Sequence, residues 1–311
     1  MSRSLRVAFL GNDAWSVPSL RALAESPHEI AIVITAAPKP AGRGNELTPT
    51  LVAEAAMLLD LPLAEVETVK TGAGFKDLAA SMPDVIAVVA YGEILPPTVL
   101  HVPTIAPVNL HFSLLPRLRG ATPVQTALLL GHDVTGVSTI VMDRGLDTGP
   151  VILQREEPIG PADDAGTLGA RLAAIGAEVL VESIDMLGAG PVAPRPQDHS
   201  LATFAPKFAP HERVLDWSNP AGMLVNLVRA LSPEPAAVTT FRDDGMKVFR
   251  AEAVDAEGEP GRIVDVSKDG IVVATADGGF RPLELAPAGR KRMSGADFVN
   301  GFHPEAGERL G

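Results

Sequence analysis

Residues 109–120, NLHFSLLPRLRG, are the part of this 311-residue chain from which the fold and the chemistry can first be worked out. They continue a short apolar run that is typical of a β-strand and end before a helical pattern that begins near Thr122. Because alternate residues of a strand point to the same side, Asn109 and His111 are expected to face one cleft. An amide donor, an imidazole and a tight turn at the carboxyl end of a strand are typical of acyl-transfer sites in α/β folds.

The segments around this stretch alternate between buried-type strands and amphipathic helices. This alternation predicts a Rossmann-like α/β domain with a doubly wound parallel sheet. Gly11-Asn12-Asp13 after the first strand does not match GxGxxG, so a dinucleotide cofactor is not predicted. The predicted strands are residues 5–10, 30–35, 85–90, 107–110 and 136–142, and the predicted helices are residues 16–25, 49–59, 122–130 and 165–187.

The chain beyond residue 188 has a different organisation. Residues 189–206 are proline-rich with little periodicity, which is typical of a linker between domains. A helix is predicted over residues 220–231, followed by five short strands separated by turns. This spacing predicts a small OB-type β-barrel. The expected division is therefore a catalytic domain at 1–188, a linker at 189–206 and a β-barrel domain at 207–311.

Composition excludes several classes of site. There are no cysteines, so disulfides, thiolate metal sites and cysteine nucleophiles are ruled out. The seven histidines are dispersed without paired spacing, and no metal is expected. No run approaches the ~20 apolar residues of a membrane span, and the first apolar run is too short for a signal peptide. A cytoplasmic protein is expected.

Charge is unevenly distributed along the chain. The net charge is −12; residues 1–200 contribute −9 and residues 201–311 only −3. The only dense basic cluster, Arg290, Lys291 and Arg292, lies in the second part. Such clusters are most often solvated surface, so this one does not by itself predict a nucleic-acid partner. The loop at 38–49, which carries Lys39 and Arg43, is either a tolerated insertion or a loop that grips a substrate.

Several motifs together resemble a known family. SLLPRLRGATPVQ at 113–125, with Asn109 and His111 before it and GLDTGP at 145–150 after it, is similar to the 10-formyltetrahydrofolate-dependent formyltransferases. These core motifs alone would also fit members that act on sugar nucleotides or on glycinamide ribonucleotide. VVAYGEILP, PAGRG, FAPK, LDWS and AGRKRMSGADF extend the resemblance along nearly the whole chain. They favour the branch that formylates the amino group of an aminoacylated initiator tRNA for translation initiation.

The resemblance implies roles for individual residues. The catalytic triad would be Asn109, His111 and Asp147. The first two would stabilise the oxyanion of a tetrahedral intermediate, and no covalent enzyme intermediate is needed. Asp147 would keep His111 charged or help to deprotonate the attacking ammonium through water. The implied folate-binding residues are Tyr91, Gly92, Ile94, Leu95, Ser113, Leu114, Leu115 and Pro116. The implied tRNA-binding residues are Lys39, Arg43, Arg290, Lys291 and Arg292, in an enzyme that needs no metal and is expected to be monomeric.

Structural explanations compete with these roles. Asn109 could be a buried turn amide, His111 a core histidine with satisfied hydrogen bonds, and Asp147 the cap of its own turn. Asp143 is a second carboxylate in the same loop.

The sequence also departs from the usual motifs of the family. It has GNDAWSVP where GTPDFAVP is more common, SPEP at 232–235 where NPWP is common, and Lys39 in place of an arginine. Because these changes bear on substrate fit, an amino sugar nucleotide or another small amine stays open as the acceptor. A non-catalytic protein that binds tRNA or folate is the third hypothesis.

Overall fold

The computed structural model describes residues 3–41 and 46–311. These residues form two compact units. The first contains the described residues up to Pro123, with Val134–Pro158 and Gly169–Ala205. The second contains Val124–Asp133, Ile159–Leu168 and Pro206–Gly311.

The first unit is built on a seven-stranded sheet flanked by helices. The elements before residue 190 are, in chain order, β1 (Arg6–Gly11), α1 (Val17–Glu25), β2 (Glu29–Ala36), β3 (Lys39–Ala41), β4 (Glu46–Thr48), α2 (Leu51–Leu58), β5 (Leu63–Val66), α3 (Gly72–Ala80), β6 (Val85–Val89), α4 (Pro97–Leu100), β7 (Ala106–His111), α5 (Pro123–Leu129), β8 (Val134–Val141), β9 (Val151–Pro158) and α6 (Ala165–Ala189).

The strand order of this sheet is β5-β2-β1-β6-β7-β8-β9. The first five strands in that order are parallel, whereas β8 and β9 are antiparallel to their neighbours. The predicted doubly wound α/β fold is confirmed, with an antiparallel edge that the sequence analysis did not predict. The chain order reverses between β1 and β6, and ligands of such sheets bind beyond the carboxyl ends of the strands at this point.

The second unit contains an antiparallel sheet with the order β10-β11-β14-β13-β12. Its core includes two edge-to-face aromatic pairs, Trp217 with Phe280 and Phe241 with Phe298, whose ring centroids are 5.4 and 5.2 Å apart. The elements are α7 (Ala221–Leu231), β10 (Ala237–Phe241), β11 (Asp244–Val254), β12 (Ile263–Ser267), β13 (Gly270–Ala274), β14 (Gly279–Pro287), β15 (Met293–Ser294) and α8 (Gly295–Phe302).

The C-terminal residues join the two edges of this second sheet. The Leu310 N–H donates to the Gly261 carbonyl, beside β12, at 2.8 Å. The Gly311 N–H donates to the Thr240 carbonyl in β10 at 3.1 Å. One segment thus bonds to both edges of this antiparallel sheet, which is the arrangement expected of the small barrel that the sequence predicted.

Residues 190–205 pack on the first unit although they contain little regular structure. Arg195 exchanges two backbone hydrogen bonds of 2.8 Å with Val151 in β9. The Ala205 N–H donates to the Arg119 carbonyl at 2.7 Å, and Ala205 in turn accepts from the Thr122 N–H at 3.1 Å. This segment therefore borders the loop that follows β7. None of the helices in the described ranges is long and apolar enough to cross a membrane.

Candidate active site

Asn109 lies in β7, between Val88 of β6 and Ile140 of β8. Its side chain is half-buried. Among the residues that the structure describes, none hydrogen-bonds the Asn109 carboxamide. A partly buried amide that has no partner within the described ranges is available to donate to a bound oxygen atom.

His111 ends β7 and is buried, with 6% of its surface exposed. Its Nε2 lies 2.9 Å from the Leu118 carbonyl oxygen. Because a carbonyl can only accept, Nε2 carries the proton in this contact. The other ring nitrogen, Nδ1, lies 3.7 Å from Oδ2 of Asp147. The ring is thus fixed through Nε2, and Nδ1 faces the carboxylate.

Asp147 lies in the loop between β8 and β9, with φ of 53° in the left-handed region. Its Oδ2 accepts a hydrogen bond of 2.8 Å from the Gly120 N–H. The loop passes so close to β8 that a Cβ on Gly149 would lie 1.8 Å from the Val141 carbonyl oxygen. Glycine at 149 therefore permits the close approach that places the carboxylate beside His111.

Asp143, the other carboxylate of this loop, has a different environment. It is exposed, and its Oδ1 accepts hydrogen bonds from the Gly145 N–H and the Thr148 hydroxyl. Asp143 thus caps its own loop, and the structure brings Asp147 rather than Asp143 to His111.

Replacing Gly120 by alanine is expected to destabilise the protein by about 2–5 kcal/mol and to displace Asp147. Gly120 has φ of +117°, which L-residues rarely adopt, and a Cβ there would lie 2.8 Å from the Ala205 carbonyl oxygen. Thermal unfolding measures the stability. Gly289→Ala is the matched control, because that glycine has φ of +72° with open space around it and should cost only about 1–2 kcal/mol. Equal losses would mean that the contact with Ala205 has no effect.

The side chains of Ser138 and Gln154, which were not predicted from the sequence, hydrogen-bond to the backbone of the turn at 113–116. The Ser138 hydroxyl donates to the Ser113 carbonyl at 2.6 Å and accepts from the Leu115 N–H at 3.1 Å. The Gln154 amide donates to the Leu115 carbonyl and to the Ser138 hydroxyl, both at 2.8 Å. The side chains of Ser113 and Leu115 are buried. The two other side chains of the turn, Leu114 and Pro116, are half-buried and can contact a ligand.

The segment after β6 shows a similar division between buried and accessible residues. The Tyr91 and Leu95 side chains are part of a hydrophobic core cluster. Burial raises the pKa of the Tyr91 hydroxyl, and the negative charge of the neighbouring Glu93 raises it further. Gly92 is exposed, with φ of +83°. Ile94 is 74% exposed and is the apolar side chain of this segment that can contact a ligand.

Asn12, which was not predicted as a site residue from the sequence, has a structural role at the carboxyl ends of the strands. Its amide nitrogen donates to the Tyr91 carbonyl. Its Oδ1 accepts from the Ala36 N–H at 2.7 Å and from the Thr35 hydroxyl at 3.0 Å. Asn12 therefore ties together the carboxyl ends of β1, β2 and β6.

The basic residues predicted to bind tRNA have several environments. Lys39 is exposed in β3, and Arg43 lies outside the described residues. Arg290 and Lys291 are exposed after β14, and neither forms an ion pair within the described part of the chain. Arg292 is instead held in place, with its Cζ 3.6 Å from the centroid of the Phe249 ring.

Two family models match successive parts of the chain. Residues 5–184 match the model described as formyl transferase, and residues 207–303 match the formyl transferase C-terminal domain. A methionyl-tRNA formyltransferase of Acidithiobacillus ferrooxidans is 40% identical over 313 residues, covering 100% of both chains. A methionyl-tRNA formyltransferase of Geobacter sulfurreducens is 39% identical over 307 residues, covering 99% of this chain and 97% of the relative.

Solved structures with lower identity share the fold. HypX from Aquifex aeolicus in complex with tetrahydrofolic acid superposes with a TM-score of 0.65 at 17% identity, covering 98% of this chain and 48% of that one. An N-formyltransferase from Helicobacter canadensis, in complex with folinic acid and dTDP-3-aminofucose, has a TM-score of 0.64 at 16% identity. The superposition covers 92% of this chain and 99% of the Helicobacter canadensis chain. At these identities the similarity is one of fold alone.

Proposed function

This chain belongs to the formyl transferase family, and from that premise we propose that it transfers a formyl group from 10-formyltetrahydrofolate to the free amino group of methionyl-tRNA for translation initiation. The resemblance found in the sequence is confirmed by both family matches. Relatives that are 40% identical over the full chain are named for this activity, whereas the sugar N-formyltransferase shares only the fold. The observation that carries the chemistry is that the Asn109 amide, which has no hydrogen-bond partner among the described residues, lies two residues from the His111–Asp147 pair.

The geometry supports a division of work among the three residues. Formyl transfer passes through a tetrahedral intermediate that carries an oxyanion. Asn109 is the donor to this oxygen, because its amide has no partner among the described residues. His111 can act only through Nδ1, since Nε2 is engaged by the Leu118 carbonyl. The pair of Nδ1 and Asp147 takes the proton of the attacking ammonium, the free amine adds to the formyl carbon, and the charged imidazole stabilises the oxyanion. When this intermediate collapses, the bond between the formyl carbon and the folate nitrogen breaks. A proton passes from the attacking nitrogen to the folate nitrogen, and tetrahydrofolate leaves.

We infer that accessible residues after β6 and in the turn at 113–116 bind the flat, partly apolar co-substrate. The bound folate supplies the activated formyl group. Ile94 and Leu114 provide apolar walls, and the turn at 113–116 presents backbone groups for the polar edge of the pterin. The accessible Gly92 and Pro116 complete this ligand-facing surface, and we assign the buried Tyr91, Leu95, Ser113 and Leu115 to its support.

For the acceptor, we propose that residues 207–311 bind the tRNA and that 1–188 carry the chemistry, with 189–206 as the connection. The exposed Arg290 and Lys291 support this assignment, because side chains without an ion pair can pair with phosphates. Lys39 and Arg43 would contact the acceptor end, and Arg292 would contribute charge from its fixed position. We propose further that the enzyme acts as a monomer and in the cytoplasm, where its tRNA substrate is used.

The function is tested by incubating the purified protein with 10-formyltetrahydrofolate and methionyl initiator tRNA. The expected product is formylmethionyl-tRNA, detected by acid gel electrophoresis or mass spectrometry. Uncharged tRNA is the control, because it lacks the acceptor amine. Turnover with an amino sugar nucleotide in the absence of any tRNA product would contradict the proposed acceptor.

Replacing both Arg290 and Lys291 by alanine is expected to raise the KM for tRNA and to reduce the slope of its salt dependence by about 2. The KM for the formyl donor, kcat and the melting temperature should stay close to those of the native protein, because both side chains are exposed. Steady-state kinetics at several salt concentrations measure the kinetic constants and the salt slope, and thermal unfolding measures the melting temperature.

The matched control removes the same charge elsewhere in the second unit, at the exposed Arg250 and Lys268. This control pair should leave the KM for tRNA nearly unchanged. Equal effects of the two double variants would show that only the overall charge matters, and would contradict the assignment of Arg290 and Lys291.

A further inference from the structure

A buried glutamine connects the two loops that carry the catalytic geometry. Gln197 lies in the segment that follows α6, and its side chain is buried. Its Nε2 donates to the carbonyl oxygens of Asp147 and Gly149 at 2.8 and 2.7 Å. Its Oε1 accepts two hydrogen bonds from the Arg119 guanidinium, of 2.6 Å from Nη2 and 3.2 Å from Nε. One side chain thus joins the loop after β8 to the loop after β7.

Arg119 lies in sequence between two residues whose backbone groups orient His111 and Asp147. The preceding residue, Leu118, supplies the carbonyl that binds His111, and the following residue, Gly120, supplies the N–H that binds the carboxylate of Asp147. Fixing Arg119 therefore fixes the supports of both side chains. The Asp147 backbone is held at the same time by the Gln197 amide.

The burial of Arg119 favours a role beyond packing. The residue is 4% exposed, and no carboxylate of the described residues lies within ion-pair distance of its guanidinium. Its partners are Gln197 and the Nδ1 of His199, at 3.0 Å. A buried cation that has no carboxylate partner within the described ranges is costly to maintain, and an apolar residue would pack such a site more simply.

We propose that Gln197 and Arg119 are positioning residues for formyl transfer, which set the approach of Asp147 Oδ2 to His111 Nδ1. This inference rests on the roles proposed above for His111 and Asp147. Neither residue reaches the reacting atoms; they act through the backbone of the two loops. Gln197 is the member to test, because it is uncharged, whereas replacing Arg119 would remove a buried cation together with its hydrogen bonds.

In the full-length enzyme, Gln197→Ala is expected to lower kcat by roughly 10- to 100-fold and to alter the pH–rate profile. The KM values for formyl donor and tRNA should stay within about twofold, since no substrate-contacting group is removed. A merely structural role would reduce the melting temperature while leaving kcat per folded molecule and the pH profile unchanged, and that result would overturn the proposal. Gln197→Glu should show a comparable loss, because a carboxylate cannot donate to two carbonyls.

Gln154→Ala is the matched control, as it also removes a glutamine amide that donates to a loop carbonyl. Because Gln154 supports the turn at 113–116, its loss should raise the KM for the formyl donor and leave the pH profile as it is. An altered pH profile in both variants would count against a specific role of Gln197.

A double-mutant cycle with Asp147→Asn separates this inference from the proposed function. If Gln197 acts through Asp147, adding Gln197→Ala to Asp147→Asn should lower kcat by less than about threefold. Full additivity would overturn the positioning role. Native activity of Asp147→Asn alone would contradict the proposed role of Asp147 itself. An impaired Asp147→Asn beside an unimpaired Gln197→Ala would contradict the positioning role only.

Discussion

Asn109→Ala is expected to lower kcat for formyl transfer by about 10²–10³-fold, which corresponds to about 3–4 kcal/mol of lost transition-state stabilisation. The amide is expected to act where negative charge develops on the formyl oxygen, so the KM values for both substrates should change little. Since no described residue hydrogen-bonds the Asn109 carboxamide, the melting temperature should also change little. Steady-state and single-turnover kinetics, together with thermal unfolding, measure these effects.

Asn12→Ala is the control for this prediction, because Asn12 is an amide of the same sheet edge with a structural task. Its amide joins three strand ends, so its loss should lower the melting temperature. We thus expect Asn109→Ala to lower kcat without lowering the melting temperature, and Asn12→Ala to lower the melting temperature. Native turnover of Asn109→Ala would remove the oxyanion role and revive the explanation of Asn109 as a structural amide.

Asp147→Asn is expected to reduce kcat by about 10²–10⁴-fold, the range typical of a lost proton-transfer group. The asparagine oxygen can still accept the Gly120 N–H, so the loop and the stability should be preserved. A neutral amide, however, can neither take a proton nor balance a charged imidazole at Nδ1 of His111. The dependence of kcat on pH, measured with thermal unfolding, distinguishes this chemical effect from misfolding.

Asp143→Asn is the matched control for Asp147→Asn, because the same change is made in the same loop. Asp143 is exposed and bonds within its own loop, so turnover should stay near the native value. Comparable losses in the two variants would mean that the loop as a whole, rather than the carboxylate at 147, determines the rate.

The sequence predicted the central strands, and it placed the two candidate site residues on β7, because local rules apply to them. β1 and β6 are almost wholly buried, which produces continuous apolar runs. The alternation of a strand was sufficient to place Asn109 and His111 on one side. Asp147 needed the family resemblance, because nothing local distinguishes it from Asp143.

Other elements were missed because their local signals are weak. α3 contains Gly72 and Gly74, which lower helix propensity, and β5 has four residues that include a glutamate. β9 carries Arg155 and two glutamates on a partly exposed edge strand. One missed element did have a signal, since Ser294 and Asp297 form the capping box that begins α8.

Gln197 could not be found from the sequence for a different reason. It is a single glutamine in a proline-rich stretch without periodicity, and it contacts loops that are about fifty and eighty positions earlier in the chain. Its importance comes from its partners, and those partners are known only from the three-dimensional structure. The same holds for Asn12, whose three strand ends meet only in the assembled sheet.

The segment at 190–205 has a consequence for the order of folding. Asn109 and His111 are brought together by local strand formation, but the loop that orients His111 is tied by the Thr203 hydroxyl, which accepts from the Leu118 N–H across 85 positions. Closing so long a loop is opposed by chain entropy, and one side-chain hydrogen bond compensates for this cost less than the several backbone bonds of a strand pair do. We therefore expect the first unit to acquire its sheet before the imidazole is oriented, so that refolding restores secondary structure earlier than enzyme activity.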